Sequence, residues 1–424
     1  MFLTPFFLNK ASSTKIAQYG RFNINMKHIV CVLLTASLFF CSCFDRGGKS
    51  IEREEYFSLN IGPMEDQLAM YNQGEGSSGK KPGFAMRDGL FYIADRTAGK
   101  IARYNSYGDL LFMIYNEETN PAPSSLKSKA DDGAQVTRWA FTYPLREPGE
   151  IVVDSQKHIY VEDRLPYERH GFDAENNALL DRMVLHFDSD GRFIEYLGQE
   201  GVGGSPFPLI TGMYTSVRDE LAVVCRLPSG WNIYWFNSGV LYYLVQLKNI
   251  SIPKPPEWPE LSASVDTVMA APDARKLYIK VDYYHDTIDA STSTRTGNEP
   301  FGSVIWTLNV EDGKYIGSVK LPLYEASVSD NGFTVNYKIP YSLLGVIRNG
   351  KFVLYYPGDG GYFVLFMNTN SQERRRGFIK IDSDDLQFSV FNLSPEGLLS
   401  AMLIKDWQVS FVWWRTDRLV GEIL

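Results

Sequence analysis

The sequence predicts an all-β chain assembled from a repeated four-stranded unit, and three observations predict it. From Phe84 onward, short runs rich in Val, Ile, Tyr, Phe and Trp alternate with turn residues, and no long amphipathic helical pattern interrupts them. An aromatic content of 14% with 21 prolines fits many short strands joined by tight turns. The same order of strands and turns then recurs along the chain, the mark of a repeat architecture.

The first unit runs through Gly83-Phe-Ala-Met, the turn Arg87-Asp-Gly89, Leu90-Phe-Tyr-Ile-Ala-Asp95, Lys100-Ile-Ala-Arg-Tyr104, the turn 105–109 and Leu110-Leu-Phe-Met-Ile-Tyr115. The second follows the same plan through Gly149-Glu-Ile-Val-Val-Asp154, His158-Ile-Tyr-Val-Glu-Asp163, Met183-Val-Leu-His-Phe187, Asp188-Ser-Asp-Gly191 and Phe193-Ile-Glu-Tyr-Leu197. Tyr92-Ile-Ala-Asp-Arg96 and Tyr160-Val-Glu-Asp-Arg164 match position by position. A third unit begins at Ile210 and takes in 221–225, 231–236 and 242–246; a fourth begins at Ser264 and takes in 277–281, 303–308 and 315–319. A fifth is drawn from Leu343 through 352–356, 362–366 and 377–381, and a sixth from 388–391 through 398–404, 409–413 and 419–423. Units of this kind bury their apolar faces against one another in a ring that leaves only short sheet edges. The expectation is a β-propeller of six four-stranded blades, with seven or eight as the alternative if Tyr56–Ile61 and Phe333–Ile339 belong to further blades.

These units resemble NHL repeats, whose Asp-Gly turn, Ile-Tyr-Val-Ala-Asp strand and following Arg-Ile are closely met by the first two units. The string Leu197-Gly-Gln-Glu-Gly-Val-Gly-Gly-Ser-Pro-Phe207 is similar to the inter-repeat linker of that family. With the leader described next, the chain resembles NHL-type propeller lipoproteins of spirochaetes; the resemblance implies a propeller and no particular biochemical role.

Residues 1–42 are expected to be a signal peptide, with 1–25 an extra leader and translation starting at Met26. Lys27 and His28 precede the apolar run Ile29–Phe40, which is too short to span a bilayer. Ser42-Cys43 offers a small residue before a cysteine, so Cys43 is the expected lipidation site, ahead of Cys41 behind the bulky Phe39-Phe40. Residues 43–55 then read as a lipidated tether and 56–424 as a single propeller domain. Loss of 1–42, which carries three Lys, one Arg and no acid, takes the formal charge from −8 to −12. A surface so acidic argues against nucleic acid and against anionic headgroups, leaving the lipid as the only hold on the membrane. The localisation expected is the bacterial cell envelope, periplasmic or at the surface, with the chain a monomer.

Catalytic machinery is hard to find. Cys225, the one cysteine left beside Cys43, sits in the apolar run Leu221-Ala-Val-Val-Cys225, so no internal disulfide is possible and a buried inert thiol is expected. Gly74-x-x-x-x-Gly79-Lys80 is close to a phosphate loop, but Lys81 stands where Ser or Thr would hold magnesium and no strand runs into it. His158, His170, His186 and His285 lack metal-ligand spacing, and no G-x-S-x-G elbow occurs. Asp95 and Asp163 read as turn and inter-blade hydrogen-bonding residues. No metal or cofactor is expected.

Loop lengths sort by face. In an antiparallel blade the loops between second and third strands, and those between blades, leave on one face; the long insertions 116–147, 164–180, 248–262, 283–301 and 322–340 all fall there. The opposite face keeps short turns, apart from 369–376 with Arg374, Arg375 and Arg376. Long loops on a rigid ring are where binding resides. They carry Trp139, Tyr143, Tyr167, His170, Trp258, Tyr283, Tyr284 and His285, the expected partner-binding residues. The function expected is a binding or scaffold module for a protein or glycan. The alternative is a six-bladed propeller enzyme, a lactonase-like hydrolase or a lyase with a metal in the central channel, which the mostly apolar inner strands near Phe84, Ile151, Ile210, Val268, Gly345 and Phe388 disfavour.

Overall fold

The structure is a computed structural model that describes residues 49–69, 81–128, 138–289, 291–330, 333–368, 374–382 and 386–421. The signal segment 1–42, Cys43 and the glycine-rich stretch through Gly79 and Lys80 lie outside them.

Apolar alternation produces the strands, and each unit of the repeat folds as an antiparallel meander. Blade 1 is Gly83–Arg87, Leu90–Asp95, Lys100–Tyr104 and Leu110–Tyr115; blade 2 is Ile151–Val153, Ile159–Arg164, Arg182–Phe187 and Phe193–Gly198. Blade 3 is Leu209–Thr215, Leu221–Leu227, Gly230–Asn237 and Val240–Lys248; blade 4 is Ser262–Ala270, Lys276–Ile288, Arg295–Asn309 and Tyr315–Leu321. Blade 5 is Ser342–Ile347, Lys351–Gly358, Gly361–Asn368 and Arg374–Lys380. Blade 6 takes Leu386–Leu393, Leu399–Lys405 and Gln408–Trp414, and its fourth strand is Arg53–Asn60 from the other end of the chain.

The first strands of these sheets neighbour one another in cyclic order, and that of blade 6 returns to that of blade 1. Between each adjacent pair of blades lies an apolar cluster that draws residues from both. Phe112 and Ile114 of blade 1 pack with Val161 and Leu185 of blade 2. At the closing junction Phe57, Met402 and Phe411 of blade 6 pack with Phe84, Phe91 and Tyr104 of blade 1. Each large apolar side chain buried this way contributes about 1.5–3 kcal/mol, so the junctions hold the ring. The chain is a β-propeller.

The closeness of the inner strands shows in one glycine. A Cβ on Gly83 would lie 1.9 Å from the carbonyl oxygen of Gly149, so only glycine lets blade 1 approach blade 2 there. At the opposite end of the inner strands the hairpin turns place Asp88, Lys157, Asp219 and Asn349 in left-handed backbone at equivalent positions of four blades.

Several expectations are corrected. Ser50–Glu55 is not a tether: Lys49–Ile51 pairs in parallel with Gly377, Phe378 and Ile379 of blade 5, and Arg53 onward pairs with blade 6. Tyr56–Ile61 therefore completes blade 6 instead of starting another blade. Phe333–Ile339 pairs with Tyr324–Asp330 as a separate two-stranded hairpin. The stretch 283–301 is no loop, because the central strands of blade 4 continue as a long hairpin paired from Lys276–Asn309 out to Ile288–Arg295. Arg374–Arg376 belong to the outer strand of blade 5, where Arg376 lies 4.1 Å from the centre of the Phe363 ring, and not to a turn. Among the described residues no helix is long and apolar enough to cross a membrane.

Candidate functional site

Strand order fixes the two faces of the ring. Because each blade is an antiparallel meander, loops between second and third strands leave beside the loops that join blades, and long segments gather on that face. A cleft of about 690 Å³ opens there at the junction of blades 2, 3 and 4. Blade 2 contributes Arg164, Asp181 and Arg182, blade 3 contributes Leu209, Arg226 and Trp231, and Ser264 comes from the start of blade 4.

The lining carries three arginines against one carboxylate, in a chain whose formal charge is −8. Arg164 donates from Nε to Asp181 at 2.9 Å and lies 3.5 Å from Glu147. Arg182 sits 3.2 Å from Glu162 through Nη1 and 3.2 Å from Asp181 through Nε. Behind it, Glu162 is buried and is also approached by Arg96 at 3.5 Å. Arg226 has no carboxylate within ion-pair distance among the described residues; its guanidinium stands 5.6 Å from the centre of the Trp231 ring.

Beside the cleft is the mouth of the ring formed by the six first strands. The first strands of blades 3 to 6 each carry a β-bulge near that mouth, and the extra residues are Thr211, Asp266, Leu344 and Gln387. A bulge turns one additional side chain out of the pairing, which is how a barrel rim is furnished with polar groups. In blade 2 the corresponding place, just before Ile151, is taken by Glu150. Its carboxyl reaches solvent but is hemmed in by protein, and this desolvation, reinforced by Glu162, pushes it up to about 7. Asp266 is held by Lys280 at 3.0 Å, and Lys280 is shared with the buried Asp282 at 2.7 Å. Carboxylates at Glu150 and Asp266 run against the expectation of apolar inner strands. Both fall one place outside the alternating pattern, the signal by which a bulge could have been found.

Asp95 and Asp163 are where the repeat puts them and do what a repeat asks. Asp95 accepts hydrogen bonds from the backbone of Ala69, Thr97 and Ala98, and Asp163 from that of Arg146 and Glu147. Each ties the incoming inter-blade segment to the second strand. Burial raises the Asp163 carboxyl to about 6 against those bonds. Cys225 is fully buried, which pushes its thiol well above the ordinary range.

The expected binding residues are dispersed. Trp139 lies in Trp139–Thr142, a strand alongside blade 1, where its ring stacks on Phe112 and its indole N–H donates to the Asp190 carbonyl. Tyr143 is wedged against Phe187 and Phe193. Tyr283 is fully buried in blade 4, donating to the Pro253 carbonyl at 2.5 Å and accepting from Trp306 at 2.9 Å, with burial lifting its hydroxyl to about 12. Trp258 packs edge-on to Tyr283 and Phe301. These four hold segments to the ring and are not free anchors, since each finds an apolar surface of its own chain first. Tyr284 is half-buried on the same hairpin, and His285 is exposed with its ring edge on Phe301. Tyr167 is 83% exposed on the turn Tyr167–Arg169, against the ring of His170, whose Nε2 lies 2.9 Å from the Leu165 carbonyl.

Fold and site together define a β-propeller with an arginine-lined cleft on its long-loop face. No known protein family matches the sequence, and no curated protein matches it. Solved structures do. The polysaccharide lyase Uly1 is 10% identical, with 86% of this chain and 99% of that chain covered at a TM-score of 0.39. A gluconolactonase from Xanthomonas campestris is 10% identical over 88% and 92% at 0.39, and a streptogramin B lyase 11% identical over 86% and 98% at 0.36. These are propeller-like chains at low identity, and the fold assigned here rests on the strand order and the cyclic packing.

Proposed function

We propose that this chain is a lipid-anchored envelope protein that uses the long-loop face of its propeller to bind a protein or glycan partner. The observation that carries the reading is the cleft between blades 2, 3 and 4, where polar and charged groups converge around the exposed Arg226, which has no carboxylate partner among the described residues. Rigid rings present such sites without large internal motion, and a concave polar pocket is the default location of a ligand. A second reading, a hydrolase or lyase working in the channel, is favoured by the raised Glu150 carboxyl, because a carboxyl titrating near neutrality suits acid–base work. Among the described residues no group of three or more His, Cys, Asp or Glu is placed to hold a metal ion.

Two measurements test the leading reading. Affinity capture from detergent-solubilised envelope should recover a partner with the wild type, and Tyr167→Ala combined with Leu209→Glu should lower recovery about ten-fold or more, a loss of roughly 1.4 kcal/mol or greater. Tyr107, 86% exposed on a turn of the opposite face, supplies the control. Loss of capture with Tyr107→Ala and retention with the other variant would overturn the face assignment. Radiolabelled palmitate should enter the wild type and Cys41→Ser but not Cys43→Ser; label that persists in Cys43→Ser and vanishes in Cys41→Ser refutes Cys43 as the site, and a wild type without label refutes the anchor.

A further inference from the structure

The unfilled groups of the cleft are chemically specific. Arg226 holds a guanidinium over Trp231 without a carboxylate partner. Arg182 beside it spends its Nη1 and Nε on the Glu162 and Asp181 carboxylates, each 3.2 Å away, so Arg226 is the cation the cleft leaves for a ligand. Asn177 and Ser264, both exposed on the lining, make no side-chain hydrogen bond among the described residues, and Asn249 spends only its amide N–H, on the Pro228 carbonyl at 3.1 Å. The cleft therefore offers a planar cation suited to a carboxylate, ringed by small amides and hydroxyls that both donate and accept.

We infer that the cleft binds a short acidic oligosaccharide, with a uronate carboxylate on Arg226 and sugar hydroxyls on Asn177, Asn249 and Ser264. The inference rests on the binding-face reading above and names the ligand of that same site. An arginine fork pairs with a carboxylate through two parallel N–H bonds, stronger than neutral ones. The volume of about 690 Å³ suits a small ligand. An acidic peptide would satisfy Arg226 alike but meets Asn177, Asn249 and Ser264 only through backbone amides with fixed direction, whereas sugar hydroxyls rotate to donate or accept at each, so the rim favours the sugar.

Titration calorimetry of the full-length chain in detergent, with trigalacturonate, its methyl triester and triglutamate as probes, decides the matter. Trigalacturonate should bind, and binding should weaken at least ten-fold with the methyl triester and with Arg226→Gln. Leu209→Glu, which sets a negative charge at the half-exposed lip of the cleft, should weaken it as well. Equal binding of the ester, or undiminished binding by both variants, overturns the carboxylate contact. Triglutamate binding as tightly as trigalacturonate overturns the assignment to a sugar. If no probe binds while Tyr167→Ala with Leu209→Glu still abolishes partner capture, the ligand class fails and the face reading stands. If trigalacturonate binds through Arg226 while capture is indifferent to that variant, the converse holds.

Discussion

A pair of imidazoles on blade 2 shows how single residues here set solution behaviour. His186 Nε2 lies 3.2 Å from His158 Nδ1, its Nδ1 lies 3.2 Å from Glu195, and its ring stacks on Tyr160. One nitrogen of the close pair must donate and the other accept, so both rings cannot be protonated without breaking the contact. Burial, chiefly, holds His186 below its ordinary value of 6.5, with Glu195 opposing. Since the unfolded imidazole takes up its proton first as pH falls, the folded state loses stability through the window below about 6.5. Nearby Asp154 is shifted upward, mainly by burial, and acts in the opposite sense at lower pH, so the effect should be clearest between about pH 6.5 and 5. Thermal midpoints of the wild type should drop by about 1–2 °C across that window, and those of His186→Phe should change less. Parallel curves would show that the pair does not titrate with folding. The spacing of His158 and His186 in the sequence carried no hint of this contact, because it arises from cross-strand pairing of Tyr160 with His186.

Among the elements, the strand Arg53–Asn60 bears the most. It pairs along its length with Gln408–Trp414 and delivers Phe57 and Leu59 into the cluster shared by blades 6 and 1. Phe57→Ala should cost about 3–5 kcal/mol, read as a lowered denaturant midpoint, and removal of residues 49–60 should leave no cooperative transition. A truncated chain that unfolds at the wild-type midpoint would mean that blade 6 does not need its fourth strand. The charged opening Arg53-Glu-Glu55 hid this element, since hydrophobic alternation starts only at Tyr56. The outer half of the long blade 4 hairpin was hidden likewise: His285-Asp-Thr-Ile288 and Arg295-Thr-Gly-Asn298 are solvated on both sides and read as loop. Where both strand faces are buried, as in Tyr92–Asp95 and Ile159–Asp163, alternation gives way to continuous β-branched and aromatic runs closed by Asp, and strand ends could be read nearly to the residue. The cleft was less legible. Arg182 and Arg226 belong to different blades and meet only through the packing of blade 2 on blade 3, for which neither local sequence has a signal.

For the molecule as a whole, that shared strand has a consequence in time. Ser58 and Ser410 face each other across blade 6 with their hydroxyls 3.0 Å apart and 352 positions apart in the chain. At about 5–20 residues per second, synthesis brings the second of them out roughly 20–70 seconds after the first. For that interval Phe57 and Leu59 lack their blade 6 partners, Met402 and Phe411 among them, and each blade can stack on its predecessor while the ring stays open at the seam. Local hairpins form within about 1–10 microseconds, so the delay belongs to the closing seam and not to the blades. The protein is threaded first and fastened last, and the strand Arg53–Asn60 is the one that must be kept from sticking elsewhere until the final blade arrives.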